Sequence, residues 1–169
     1  MTASPAAQAA QLAASVYGAV VTGGAKTLPA GATGHIFTVT GRVVVTSLTG
    51  IISTAIQGQA TTLSVGNTPT GGSASTASFC ATLDLNGKAA GISLAVPQAK
   101  ASALMSSGAD GTLLWNTTSG AQGVPVASGG LLLVPAGTID VTTVATSTGA
   151  ITWTVTYVPY DAGATVTAL

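Results

Sequence analysis

Residues 150–166, AITWTVTYVPYDAGATV, constrain this chain most. Ile151, Trp153, Val155 and Tyr157 alternate with Thr152, Thr154, Thr156 and Val158. A period of two puts the large side chains on one face of a strand and the threonines on the other. The whole chain has two Trp, three Tyr and two Phe, and this segment alone holds one Trp and two Tyr. Upstream, GTIDVTTVATSTG (137–149) reads as a second strand, and Ser147-Thr148-Gly149-Ala150 as a short turn. The pair predicts a hairpin on which an all-β core is assembled.

The rest of the chain fits that core. Ser4-Pro5 is a helix start, with Ser as N-cap and Pro at the first helical position. AAQAAQLAASVYGAV then predicts a helix to about Tyr17, stopped by Gly18, with Leu12 and Val16 on one face and Val20 extending it if the helix continues. This Ala-rich helix carries a thin apolar stripe and is marginal alone in water, so it needs a surface to dock on. Residues 22–34, rich in Gly, Ala and Pro, read as a linker or extended arm. Strands are predicted at Ile36–Thr40, Val43–Leu48, Ile51–Gln57 and Ala60–Val65, with bulges as an alternative to breaks at Thr49-Gly50 and Gly58. Gly66–Thr76 reads as an exposed loop, Ser78–Leu85 as a strand, and Asn86-Gly87 as a hairpin turn leading to a strand at Ile92–Val96. Pro97 stops that strand, and QAKASALMSS is compatible with a helical turn. GTLLWN (111–116) and GGLLLVPAG (129–137) follow, the latter interrupted by Pro135. Roughly eight to ten short strands about ten residues apart predict an antiparallel β-sandwich or jelly-roll-like domain. The expected organisation is a helix and arm over 1–34 and a β-sandwich domain over 35–169.

Charge sets this chain apart. Lys and Arg total four, Asp totals four, Glu is absent, and the net charge is zero. Charged residues make up 5%, against roughly 25% in an average domain. A polar but uncharged surface provides little repulsion between copies, which suits either a secreted or low-complexity protein with a neutral surface or a subunit that spends its life assembled. Lys26, Arg42, Lys88 and Lys100 are scattered, which argues against a nucleic-acid partner. The most apolar run, 131–135, is far shorter than the roughly 20 residues of a membrane span. With no Lys or Arg ahead of the Ala-rich stretch, a signal peptide is not expected. Cys80 stands alone and reads as a small buried hydrophobe.

Reactive chemistry is sparse. His35 is the only histidine, so a Ser–His–Asp triad would have to combine it with Asp84, Asp110, Asp140 or Asp161. No Gly-x-Ser-x-Gly elbow marks a nucleophile, and each Asp has a plainer reading at a turn or strand start. One His, one Cys and isolated Asp residues give no metal cluster. The expectation is therefore a protein that is not an enzyme and needs no cofactor. The Thr-x-Thr run at Thr152–Thr156 is similar to a flat ice-binding face, but such faces need many stacked copies. Trp115 and Tyr160 are candidate sugar-stacking platforms, although Trp115 follows two leucines and suits a core.

The segment LLLVPAGTIDVTTVATSTGAITWTVTYVPYDAGATVTA (131–168) resembles the C-terminal part of a family of small structural proteins of tailed bacteriophages, mainly those of actinobacteria. GHIFTVTGRVVVTSLTGIISTAIQGQATTLSV is similar to that family's β-rich start, and FCATLDLNG to its middle. The resemblance covers most of 34–168. It implies a virion component without enzymatic activity: a capsid decoration or spike protein on the outer head surface, with a tail or receptor-contacting component as the alternative. The expected partners are copies of itself, as a homotrimer, and the major capsid protein or another virion protein. The expected contact residues are Leu12, Val16, Val20, Thr152, Thr154 and Thr156.

Overall fold

The computed structural model describes residues 18–71, 77–97, 104–106 and 132–169, and among them there is no helix. The expected N-terminal helix and the GTLLWN strand lie outside the described residues; of the segment after Pro97 that is compatible with a helical turn, Met105 and Ser106 instead form a short strand paired with Leu94 and Ala95. The strands are β1 (Ala19–Thr27), β2 (Thr33–Thr40), β3 (Val43–Thr54), β4 (Thr62–Pro69), β5 (Ala77–Ser78), β6 (Leu83–Asp84), β7 (Ser93–Ala95), β8 (Met105–Ser106), β9 (Leu132–Val134), β10 (Gly137–Thr143), β11 (Ala150–Pro159) and β12 (Thr165–Ala168).

They form two antiparallel sheets. The first has the order β1-β11-β3-β7-β8, with β9 also on β3; the second has β12-β2-β10-β4-β5, with β6 also on β4. The pairings nest: β1 with β11, β2 with β10, β3 with β7, and β4 with β5 and β6. A chain doubled back on its own middle gives this nesting. Rolling the doubled chain brings β11 against β3 and β10 against β4. That wiring is a jelly roll, with β12 added beside β2.

The strand pair read from sequence as a hairpin is not one. β10 lies in the second sheet between β2 and β4, and β11 lies in the first between β1 and β3. Residues 144–149 carry the chain from one sheet to the other. The reason is burial. Ile139 and Val141 of β10 and Ile151, Trp153 and Val155 of β11 all enter the core, so the two strands face each other across the sandwich instead of lying side by side. The Asn86-Gly87 turn behaves likewise. Gly87 takes the left-handed φ of 64° that the dipeptide favours, but the turn links β6 of the second sheet to β7 of the first.

Other boundaries also move. The segment expected as an arm runs as β1 to Thr27, where it bonds β11. Gly23 and Gly24 together oppose Trp153, an inserted residue that the register shift between Thr22 and Ala25 records. Val43–Leu48 and Ile51–Gln57 merge into β3, whose irregularities against β11 leave out Thr46 and Ser53 rather than Gly50. The Gly66–Thr76 loop begins later than expected, because β4 continues to Pro69 with Gly66 and Asn67 buried. Ser78–Leu85 splits into the short strands β5 and β6.

Between the sheets, Trp153, Ile151, Val155, Val43, Val45, Ile52 and Leu94 meet Ile36, Phe37, Leu63, Val65, Ile139 and Val141 in one buried cluster. Each such side chain contributes about 1.5–3 kcal/mol by leaving water. The two ends of the sandwich are tied differently. At one end Arg42, between β2 and β3, is locked to Asp161, between β11 and β12. At the other, backbone bonds join separate loops: Leu28 N–H to Gly149 O at 3.1 Å, Gln57 N–H to Thr148 O at 3.4 Å and Ile56 N–H to Lys88 O at 2.9 Å.

Candidate functional site

Both outer faces of the sandwich bear on function. On the first sheet, ladder pairing lines up outward side chains in rows. Val20 sits opposite Thr156, which sits opposite Ser47; Thr22 opposite Thr154, opposite Thr49; Ala25 opposite Thr152, opposite Ile51; and Val158 opposite Val44, opposite Leu133. None of these residues is charged. Three of them are large apolar side chains left in water: Val20 is 63% exposed, Ile51 53% and Leu133 44%.

The hydroxyls on this face are partly consumed within it. Thr22 Oγ1 and Thr154 Oγ1 share a hydrogen bond of 3.0 Å. Thr46, the bulged residue, donates its hydroxyl to Thr156 O at 3.1 Å. These bonds leave the face with fewer free hydroxyl groups than its composition suggests.

Of the residues expected at a contact, Val20, Thr152, Thr154 and Thr156 come together here, and Leu12 and Val16 lie outside the described residues. Sequence reading missed Ile51, Leu133, Val44 and Val158. The bulge at Thr46 shifts the phase of β3, so alternation counted from Val43 loses track of which residues point out.

The second sheet's outer face carries the histidine. His35 Nδ1 lies 2.6 Å from Asp140 Oδ1. Thr68 donates its hydroxyl to the other carboxylate oxygen at 2.5 Å. The Asp140 side chain is fully buried, while the His35 side chain is 56% exposed. Gly66 stands directly opposite Asp140 on β4. Nearby, Thr33 Oγ1 and Thr142 Oγ1 are 2.9 Å apart.

Of the four aspartates weighed as partners for His35, the fold selects Asp140. Asp161 belongs to Arg42, and Asp84 accepts a bond from the Asn86 N–H at 2.9 Å. Asp110 lies outside the described residues. The His35–Asp140 contact has the arrangement of a base and its orienter in a hydrolytic triad, but among the described residues no hydrogen bond joins a hydroxyl to Nε2. Its direct effect is to pin β2 to β10 beside the register shift that leaves out Ile36.

Arg42 and Asp161 form the third feature. The guanidinium donates from Nη2 to Asp161 Oδ1 at 2.7 Å and from Nε to both carboxylate oxygens, and the Arg42 backbone N–H donates to Oδ2 at 2.8 Å. These bonds, the side-chain ones foremost, hold the Asp161 carboxyl below the usual carboxylate range. Arg42 also lies over the Tyr160 ring, 4.8 Å from its centre. Among the described residues no group of three or more His, Cys, Asp or Glu side chains is placed to hold a metal ion.

These features define a jelly-roll domain whose first sheet, among the described residues, has a charge-free outer face. No protein-family model, curated protein sequence or solved structure matches this chain.

Proposed function

We propose that this protein is a structural component of a tailed-bacteriophage virion, a decoration or spike protein on the outer head surface that acts by self-association and by binding the shell. The observation that carries the proposal is the charge-free outer face of the first sheet, with Val20, Ile51 and Leu133 in water. A face of this kind forms contacts that depend little on salt. The jelly roll, a fold that also builds viral capsid and lectin domains, agrees with the role without implying it. The ties at both ends suit a part that must stay folded on a particle surface.

Cosedimentation with shells lacking this protein tests the reading. The full chain is expected to pellet with shells, and failure to do so at saturating concentration overturns it. Removing residues 1–17 is expected to abolish attachment while the sandwich stays folded. The cut must stop before Ala19, because β1 begins there.

A second reading, a tail or receptor-contacting component, has Tyr160 in its favour. That ring is 59% exposed and lies beside the Arg42–Asp161 pair, a combination of aromatic surface and charged donors that suits a sugar. Binding of labelled protein to host cells or glycans, lost in Tyr160→Ala, would favour it over decoration.

A further inference from the structure

We propose that the outer face of the first sheet is a self-association face, on which a second copy of this chain packs sheet against sheet. The inference rests on the assembly reading above and deepens it by naming the partner of that face.

Charge is the first argument. A contact between identical chains always joins equal net charges, so it is free of long-range repulsion only when that charge is near zero. Here it is zero. The local condition is also met, since the rows from Val20–Thr156–Ser47 to Val158–Val44–Leu133 contain no charged side chain. A foreign partner could have exploited complementary charge on this face, and there is none to exploit.

Size is the second. β3 is twelve residues long, about 40 Å at roughly 3.3 Å per residue. The strands β1, β11 and β3, with β7 and β9 along the far edge of β3, span about 19 Å at a spacing of roughly 4.8 Å. With each strand taken at its own length, 9, 10, 12, 3 and 3 residues, the area is about 590 Å², about three quarters of the roughly 800 Å² that each partner contributes to a stable interface.

Surface chemistry is the third. Thr22 is bonded to Thr154 and Thr46 to the Thr156 carbonyl, so part of the face's hydroxyl capacity is already met within the sheet. The apolar surface left to bury is that of Val20, Ile51 and Leu133. Two such faces stack at about 10 Å with strands near −30°, as the inner faces of a sandwich do. A face that meets its own copy closes as a two-fold pair. The inference therefore sets two copies where the sequence reading expected three.

Sedimentation velocity on the purified full chain, without shells, tests this across a concentration series. Wild type is expected to sediment as a dimer at high micromolar concentration. Ile51→Lys and Val20→Lys are expected to sediment as monomers with wild-type circular dichroism. Val144→Lys, a control at a side chain exposed on the loop after β10, is expected to stay dimeric. If Ile51→Lys does not fold, Leu133→Lys at the short strand β9 gives the same reading.

A monomeric wild type overturns the inference, as do variants that remain dimeric. Deletion of residues 1–17 that turns a monomer into a dimer also overturns it, because the chain's own N-terminal segment would then be the occupant. Failure of the protein to bind shells sinks the virion proposal and leaves this result untouched.

Discussion

Gly50 on β3 lies directly beneath Trp153 on β11. The two are ladder partners, and a Cβ placed on Gly50 would stand 3.0 Å from the indole ring and 2.9 Å from Ile151 Cγ2. The largest side chain of the core rests on the space that a missing side chain leaves. Gly50→Ala is therefore expected to destabilise the fold by about 1–3 kcal/mol through overpacking. Trp153→Ala, which empties the same space, is expected to cost about 3–5 kcal/mol. Urea unfolding of the two variants measures both. A cost under about 1 kcal/mol for Trp153→Ala would be incompatible with its burial.

Gly137 provides a harsher case. Its φ is 149°, and an added Cβ would fall 2.1 Å from the Thr68 carbonyl oxygen. That oxygen belongs to backbone held in the β10–β4 ladder and cannot swing aside as a side chain can. Gly137→Ala is expected to cost more than Gly50→Ala, above about 3 kcal/mol. The ranking of the two variants in one denaturation experiment checks it.

The Arg42–Asp161 lock has a defined pH signature. Arg42 lowers the folded-state pKa of Asp161, foremost through its side-chain hydrogen bonds. The stabilisation is thus fully present above the unfolded carboxylate pKa, near pH 4, and is lost as the pH falls through the lower folded value. The Tm difference between wild type and Asp161→Asn is expected to be constant above about pH 4 and to shrink below it. Its size is expected to be small, because both groups face solvent and screening is strong.

His35→Ala leaves the fully buried Asp140 carboxylate with Thr68 as its remaining side-chain donor among the described residues. An expected loss of about 1 kcal/mol, moderated by the exposure of the imidazole, is readable by thermal melting. Asp140→Leu at the same place removes the acceptor from Thr68 as well and is expected to cost more.

Cys80 is the chain's one cysteine. It is buried, and burial pushes its thiol pKa up. Thiol-labelling reagent is expected to react slowly with the native protein and rapidly in urea. Fast labelling of the native protein would show that the region around β5 opens readily.

Trp153 and Asp140 mark what the sequence could and could not reveal. The alternation from Ile151 to Val158 correctly placed Trp153 inside and the threonines outside, because period two follows directly from strand geometry. It could not tell that β10 lies opposite β11 rather than beside it, since a strand shows the same alternation in either position. β1 was hidden for a different reason. Gly23-Gly24 reads as a linker, and the strand exists because β11 offers an edge to pair with and a bulge absorbs the extra residue. His35 and Asp140 meet only when β2 and β10 pair, so no local pattern announced the pair. Ile51 was obscured because the bulge at Thr46 reverses the parity of β3, and Leu133 because the run Leu131-Leu132-Leu133 shows no alternation.

The nested wiring also sets a timetable for synthesis. β11 fills the gap between β1 and β3, and β10 the gap between β2 and β4, yet both emerge from the ribosome after those four strands. Until residues 137–159 are made, the earlier strands have open edges and an uncovered apolar face, the condition in which chains pair wrongly with one another. Folding must wait until residues 137–159 have been made. A message cut short before Gly137 would yield not a smaller domain but a substrate for chaperones and proteases.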